Sequence, residues 1–176
     1  MLLYFFGIKQ FSYFHIQNNG LTLIMNSNQD HLEYYLQNDH HKYDPHIVHP
    51  SNILPGIALC ESYENKDYQG SCLFLARQMF GLDHGITCVR KNVDYYHAYN
   101  FTTYTANKIH RKYFNDFKYL EYFINCFEEK QSELCIDINT YVDMTHLKGE
   151  EFFSQQGITC DSFTDKQRKA FLDMLN

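Results

Sequence analysis

The densest run of chemistry-bearing side chains in this 176-residue chain is His40-His41-Lys42-Tyr43-Asp44-Pro45-His46-Ile47-Val48-His49. Neutral imidazoles beside a carboxylate can ligate zinc or another transition metal. His46 and His49 would share a helix face, but Pro45 and Pro50 interrupt any long helix there. No cysteine or second carboxylate lies at a metal-ligand spacing, so the run reads first as a solvated histidine-rich loop, with no metal site assigned. A metal-dependent enzyme built on it is the lesser alternative. Nucleophilic catalysis needs a Ser or Cys presented beside a base and an oxyanion hole. The chain has no Gly-x-Ser-x-Gly, no local cysteine signature, no Gly-rich phosphate loop and no glycosidase-like pair of carboxylates. Asp83-His84 falls in an expected helix–strand turn, where a polar pair needs no catalytic reason. These residue types favour binding over turnover, and no enzyme or cofactor is expected.

The elements that must position such residues follow from hydrophobic period and turn chemistry. Phe11–Gln17 and Leu21–Asn26 flank Asn18-Asn19-Gly20, and Asn-Gly supplies the positive φ angles of a tight hairpin. From Gln29 to Asn38 the period becomes helical, placing His31 with Tyr35 and Leu32 with Leu36 on shared faces. Pro45, Pro50 and Pro55 make Asp44–Gly56 a stiff irregular loop. Cys72, Leu73, Ala76, Met79 and Phe80 recur at helical spacing, and Gly81 stands where a left-handed cap would close that helix. Ile86–Lys91 and Tyr95–Thr103 form a second strand pair. Thr105 to Lys130 contains neither Gly nor Pro and carries an apolar stripe, Ile109, Tyr113, Phe117, Leu120, Ile124 and Phe127, expected on one long helix. That stripe packs on the sheet or shares a dimer seam. Ile136 and Ile138 suggest a last short strand, and the polar stretch Thr145–Gly157 looks like a linker. The expected fold is α+β: an antiparallel sheet with helices on its faces, an α/β/α sandwich of PAS or GAF-like sensor type.

Composition bounds the rest. The chain is 44% hydrophobic and 20% charged, with 15 Tyr, 15 Phe and no Trp, which excludes a disordered tail. A net charge of −6 argues against holding nucleic acid through the overall field. Met1–Ile8 lacks the basic residues and cleavage site of a signal peptide, and nothing approaches a bilayer span, so a cytoplasmic protein with its 6 cysteines reduced and no membrane partner is expected.

Ala76-Arg77-Gln78-Met79-Phe80-Gly81-Leu82-Asp83-His84-Gly85-Ile86-Thr87 resembles a signature of the autoinducer-binding domain of LuxR-type quorum-sensing transcriptional regulators. There a helix ends in Ala-Arg…Phe-Gly-Leu and a Gly-Ile-Thr strand start follows. Gly7-Ile8-Lys9-Gln10-Phe11-Ser12-Tyr13-Phe14-His15-Ile16 looks like the family's first strand. Tyr43-Asp44-Pro45 looks like its Asp-Pro, and Phe163-Thr164-Asp165-Lys166-Gln167-Arg168-Lys169-Ala170-Phe171-Leu172 is similar to the opening of its DNA-binding domain. The resemblance implies a sensor domain over residues 1–144, a linker over 145–161 and the start of a truncated helix-turn-helix domain over 162–176.

It further implies a non-covalently bound small amphipathic signal, an acyl-homoserine lactone or a different lipid-like molecule. Asp44 would accept the ligand amide and Tyr35 would donate to its acyl carbonyl. His31 falls where the family carries Trp, Leu59 lies near a later pocket aromatic, and Tyr13 of the first strand completes the implied site. A homodimer is implied as well. The recognition helix of a helix-turn-helix lies beyond Asn176, so specific DNA binding is expected only through a C-terminal domain missing from this chain. The remaining alternative is a ligand-free dimerisation module that antagonises a full-length regulator.

Overall fold

The computed structural model describes residues 6–60, 72, 74–104, 109–131 and 141–158. Six antiparallel strands form one sheet: β1 (Gln10–Gln17), β2 (Leu21–Asn26), β3 (Gly56–Leu59), β4 (Leu82–Lys91), β5 (Tyr95–Tyr104) and β6 (Val142–Asp143), in spatial order β3-β4-β5-β1-β2-β6. The β1–β2 hairpin turns at Gly20, φ +84°, and the Asn19 side chain accepts from Leu21 N at 3.1 Å, a local bond that fixes the reversal. Among the described residues the sheet is accompanied by the helices α1 (Gln29–Gln37), α2 (Phe74–Phe80), α3 (His110–Asn115), α4 (Phe117–Gln131), α5 (Met144–Lys148) and α6 (Glu151–Ser154).

Strand alternation divides the core in two. Phe14 and Ile16 of β1, Ala58 of β3, Val89 of β4, and Tyr96 and Ala98 of β5 face one side, where they pack with Tyr35, Ile47, Val48, Met144 and Phe152. We call this the inner face. Tyr13, Leu23, Leu59, Ile86, Tyr99 and Phe101 face the other side and pack on Ile109, Tyr113, Leu120 and Ile124. Helices therefore cover both faces of the sheet, as the α/β/α expectation requires.

Three expectations change. The single helix expected over Thr105–Lys130 is broken at Asp116, the C-cap of α3, whose N–H reaches Lys112 O at 3.0 Å before α4 begins. Asn and Asp are poor interior helix residues. The steps of four from Ile109 through Tyr113 to Phe117 would also rotate an unbroken stripe away from the sheet. Second, residues 145–158, expected to be linker, form α5 and α6, with Met144, Lys148, Phe152 and Ile158 buried. A Cβ on Gly20 would overlap the Thr145 side chain, so α5 docks directly on the hairpin turn. Third, the strand expected at Ile136 and Ile138, residues 159–161 of the linker and the helix-turn-helix segment 162–176 lie outside the described residues.

Candidate functional site

Helix α1 begins at Asn28, whose side chain accepts from His31 N at 3.1 Å, an N-cap that places His31 and Tyr35 one turn apart on the inward side. The chain then reverses at Asp39, φ 58°, and passes through a short turn of 3-10 helix, His40–Lys42, that brings Asp44 beneath Tyr35. Tyr35 Oη donates to Asp44 Oδ2 at 2.7 Å. Asp44 Oδ1 accepts from His46 N at 2.8 Å and from His46 Nδ1 at 2.6 Å. The far ring nitrogen, Nε2, lies 3.0 Å from Thr87 Oγ1, and the ring stacks on Phe14. Burial alone would raise the Asp44 carboxyl, but the His46 and Tyr35 hydrogen bonds hold it below the usual carboxylate value.

Two further contacts anchor the loop. Tyr96 Oη donates to His46 O at 2.6 Å and accepts from Val48 N at 3.1 Å. From α5, Lys148 Nζ donates to Ile47 O at 2.6 Å, to Asp44 O at 3.2 Å and to Gln155 Oε1 at 2.6 Å. Desolvation lowers that ammonium to about 8. The polar segment 145–158 thus supplies a clamp on the loop that carries Asp44.

The solvated-loop expectation fails for most of its histidines: His40, His41 and His46 are buried, and His46 is 0% exposed. His46 turns inward because Asp44 and Thr87 of β4 offer partners there. Asp44, His46 and Thr87 follow the bond order of an acid–base triad. His46 and Thr87 are both 0% exposed, and their bonds fix the loop to β4. Among the described residues, no group of three or more His, Cys, Asp or Glu is placed to hold a metal ion.

A cavity of about 70 Å³ lies between the inner face and α1 and α2, with His31, Tyr35 and Asp44 in its wall. One water needs roughly 10–15 Å³, so the space holds several waters or a small polar head. Phe14, Ile24, Leu75, Phe80 and Leu82 form its apolar part, and Gln10, Ser12, Asn26, His40, Asn100 and Thr102 its polar part. Among the described residues, the two wall carboxylates are engaged, Asp44 as above and Asp83 with Arg77 at 2.8 Å, and no Lys or Arg lines the space.

His31 Nδ1 lies 3.1 Å from Gln10 Nε2 and 3.3 Å from Asn26 Nδ2. Amide NH₂ groups only donate, so Nδ1 accepts and the ring proton sits on Nε2. Desolvation lowers this imidazole to about 4, in keeping with a neutral ring. Eight buried side-chain polar atoms have no partner among the described residues, and four of them belong to residues lining this cavity: Gln10 Oε1, His40 Nε2, Asn100 Oδ1 and Thr102 Oγ1. Each unpaired atom costs about 1–3 kcal/mol.

The Ala76–Thr87 motif builds one wall. Gly81, φ +63°, ends α2, and the Arg77–Asp83 ion pair ties the helix to β4 across that turn. A Cβ on Gly85 would overlap Cys60 Sγ, so only glycine lets β4 and β3 close together there.

Of the expected site residues, the structure brings His31, Tyr35 and Asp44 together but places Tyr13 and Leu59 on the opposite face of the sheet. Their neighbours in sequence, Ser12, Phe14 and Cys60, line the cavity instead, since a shift of one residue in a strand reverses the face. His46 was read as part of a solvated loop, and Gln10, Asn100 and Thr102 were not singled out. The usable signal was polar residues at alternate positions, Gln10 with Ser12 and Asn100 with Thr102, in strands otherwise aromatic.

Fold and site together define a class: an antiparallel sheet under helices, enclosing a part-polar cavity. No protein-family model and no curated protein matches the chain. Among solved structures it is similar to a crystal structure of Escherichia coli SdiA, at 17% identity and TM-score 0.45 over 58% of this chain and 44% of that one. It is also similar to SdiA in complex with octanoyl-rac-glycerol, at 17% identity and TM-score 0.46 over 59% of this chain and 44% of that one. The match spans less than half the length of those chains.

Proposed function

We propose that this chain is the signal-sensing part of a LuxR-type transcriptional regulator. It takes a small amphipathic molecule non-covalently between the inner sheet face and helices α1 and α2, and performs no chemistry on it. The observation that carries this reading is the cavity itself, apolar along Phe14, Ile24 and Phe80 and polar where four buried atoms lack partners. A ligand that pairs those atoms recovers a desolvation cost the folded chain otherwise bears. Helix α2 has no fully buried residue, so it is the wall that yields to a ligand longer than the cavity. The Gly81 stop and the Gly85–Cys60 approach give the family signature a physical reason in this chain.

The same reading includes His31, Tyr35 and Asp44 as the ligand-facing wall, a homodimer, a cytoplasmic location and DNA contacts through a C-terminal domain that opens at residue 162. A ligand-free dimerisation module needs a filled core here, and the cavity runs against it. The test is thermal unfolding with octanoyl-rac-glycerol and with N-octanoyl homoserine lactone. Saturable binding of either raises the melting temperature, by about 2.7 kcal/mol of stability at 100 times its Kd. No shift and no calorimetric heat with both probes overturns the reading.

A further inference from the structure

We infer that the ligand carries an uncharged, hydroxyl-bearing head, and that the sheet, through Gln10, Asn100 and Thr102, selects it. The inference rests on the ligand-binding reading above and adds the chemistry of the ligand. Gln10 is 4% exposed, and its Nε2 is engaged with Ser12 Oγ and His31 Nδ1, which leaves Oε1 as a buried acceptor. Asn100 Oδ1 is a second unpaired acceptor, one register step along the β1–β5 pair, where Gln10 faces Thr102 and Ser12 faces Asn100. Two amide oxygens without donors require a ligand that brings hydrogens.

Thr102 Oγ1 and His31 Nε2–H add donors on the same wall, so the complementary group both donates and accepts. A hydroxyl does both, whereas a carboxylate or phosphate only accepts. An anion would also meet two amide oxygens and the Asp44 carboxylate, with no Lys or Arg among the described residues of the wall to balance it. Among the described residues a cation would meet no unengaged carboxylate, because Asp44 is held by Tyr35 and His46 and Asp83 by Arg77. The acyl part of the ligand then runs toward Phe14, Ile24 and Phe80.

The test uses three probes of one chain length on the full chain: octanoyl-rac-glycerol, with two hydroxyls; methyl octanoate, with none; and octanoate, which is anionic. Calorimetric titration should show the glycerol ester binding at least tenfold more tightly than the methyl ester, and octanoate the weakest. In Gln10→Leu and, separately, Thr102→Val, the tenfold ratio should fall to within about threefold while methyl octanoate still binds. Two variants keep the test open if one fails to fold. Equal affinity for the two esters, preference for octanoate, or a ratio unchanged in both variants overturns this inference and leaves the ligand-binding reading standing. Failure of all three probes to bind overturns this inference, and with N-octanoyl homoserine lactone silent as well it overturns both.

Discussion

The two faces of this sheet are built from alternate residues of the same strands, yet they solve opposite problems. On the outer face, Phe11 packs at 5.1–5.2 Å from Phe101, Phe123 and Phe127, and the polar atoms among the aromatics are largely paired. Tyr99 Oη donates to Glu128, Arg90 bridges Glu128 at 2.6 Å and Asn125 at 2.8 Å, and Tyr13 Oη accepts from Gln131 at 2.6 Å. On the inner face, the same strands present Gln10, Ser12, Asn100 and Thr102 to a cavity, with four polar atoms left unpaired. A region that exists to be stable pairs its polar groups and fills its volume. The inner face does so only in its lower part, around Ile16 and Tyr96, and departs from it where the ligand is proposed to sit.

The largest test of this contrast removes one anchor from each face. Tyr99→Ala and Asp44→Ala should each cost about 3–5 kcal/mol in chemical denaturation, for different reasons. The outer loss is packing, so Tyr99→Phe recovers most of it. The inner loss is electrostatic and hydrogen-bonded, so Asp44→Asn recovers part of it and Asp44→Leu none. An Asp44→Leu protein as stable as the wild type would show that apolar packing, and not the Tyr35–Asp44–His46 bonds, holds the loop.

The pH response is smaller and separates the faces by residue. His31 on the inner face and His97 on the outer face are both lowered to about 4 by burial, against an ordinary 6.5. Between those values the unfolded chain binds a proton that the native chain does not, so stability present above pH 6.5 is lost as pH falls toward 4. From pH 7 to pH 5 His31 alone accounts for about 2 kcal/mol, and His97, nearer solvent, for less. Denaturation midpoints for His31→Gln should therefore be flatter over this range than for the wild type, and an equally steep loss would remove His31 from the account. At the alkaline end Lys148, lowered to about 8 from 10.5, acts in the same sense: folding releases its proton in that window, and stability rises with pH through it.

How much of this was legible in the sequence depends on whether a residue's role is local. Asn19-Gly20, the Gly81 stop and the spacing of His31 from Tyr35 are local, and β1, β2, β5, the β1–β2 hairpin and α1 fall where they were expected, whereas β3 and β6 were not expected and β4 begins at Leu82, through the turn expected at Asp83-His84. The face of a strand is not local when both faces are apolar. Tyr13 and Phe14 are equally suited to a core, so alternation carries no sign, and Tyr13 and Leu59 were assigned to the wrong side. His46 was read as solvated because its partners, Asp44 and Thr87, make it a core residue only after β4 has packed on the loop. The 145–158 segment looked like linker because its buried apolar anchors, Phe152 and Ile158, with Met144 just before it, are spread among polar residues, while the contact that matters most is a buried lysine.

The smallest test is also the sharpest, because it deletes one hydroxyl from each face of one strand. Tyr99→Phe on β5 removes the bond to Glu128 and should cost about 1 kcal/mol, as for an ordinary hydrogen bond lost with its partner still near solvent. Thr102→Val, three residues further along the same strand, removes a buried hydroxyl that has no partner and replaces it with a methyl of similar size. Its desolvation cost disappears and no bond is lost, so the ligand-free protein should gain up to about 1 kcal/mol. Opposite signs from two hydroxyl deletions on one strand would mean that the inner face carries polar groups at a cost to stability, which is how a binding surface differs from a core. A loss of stability in Thr102→Val would mean instead that ordered water already pairs that hydroxyl, and that a ligand must displace the water to bind there.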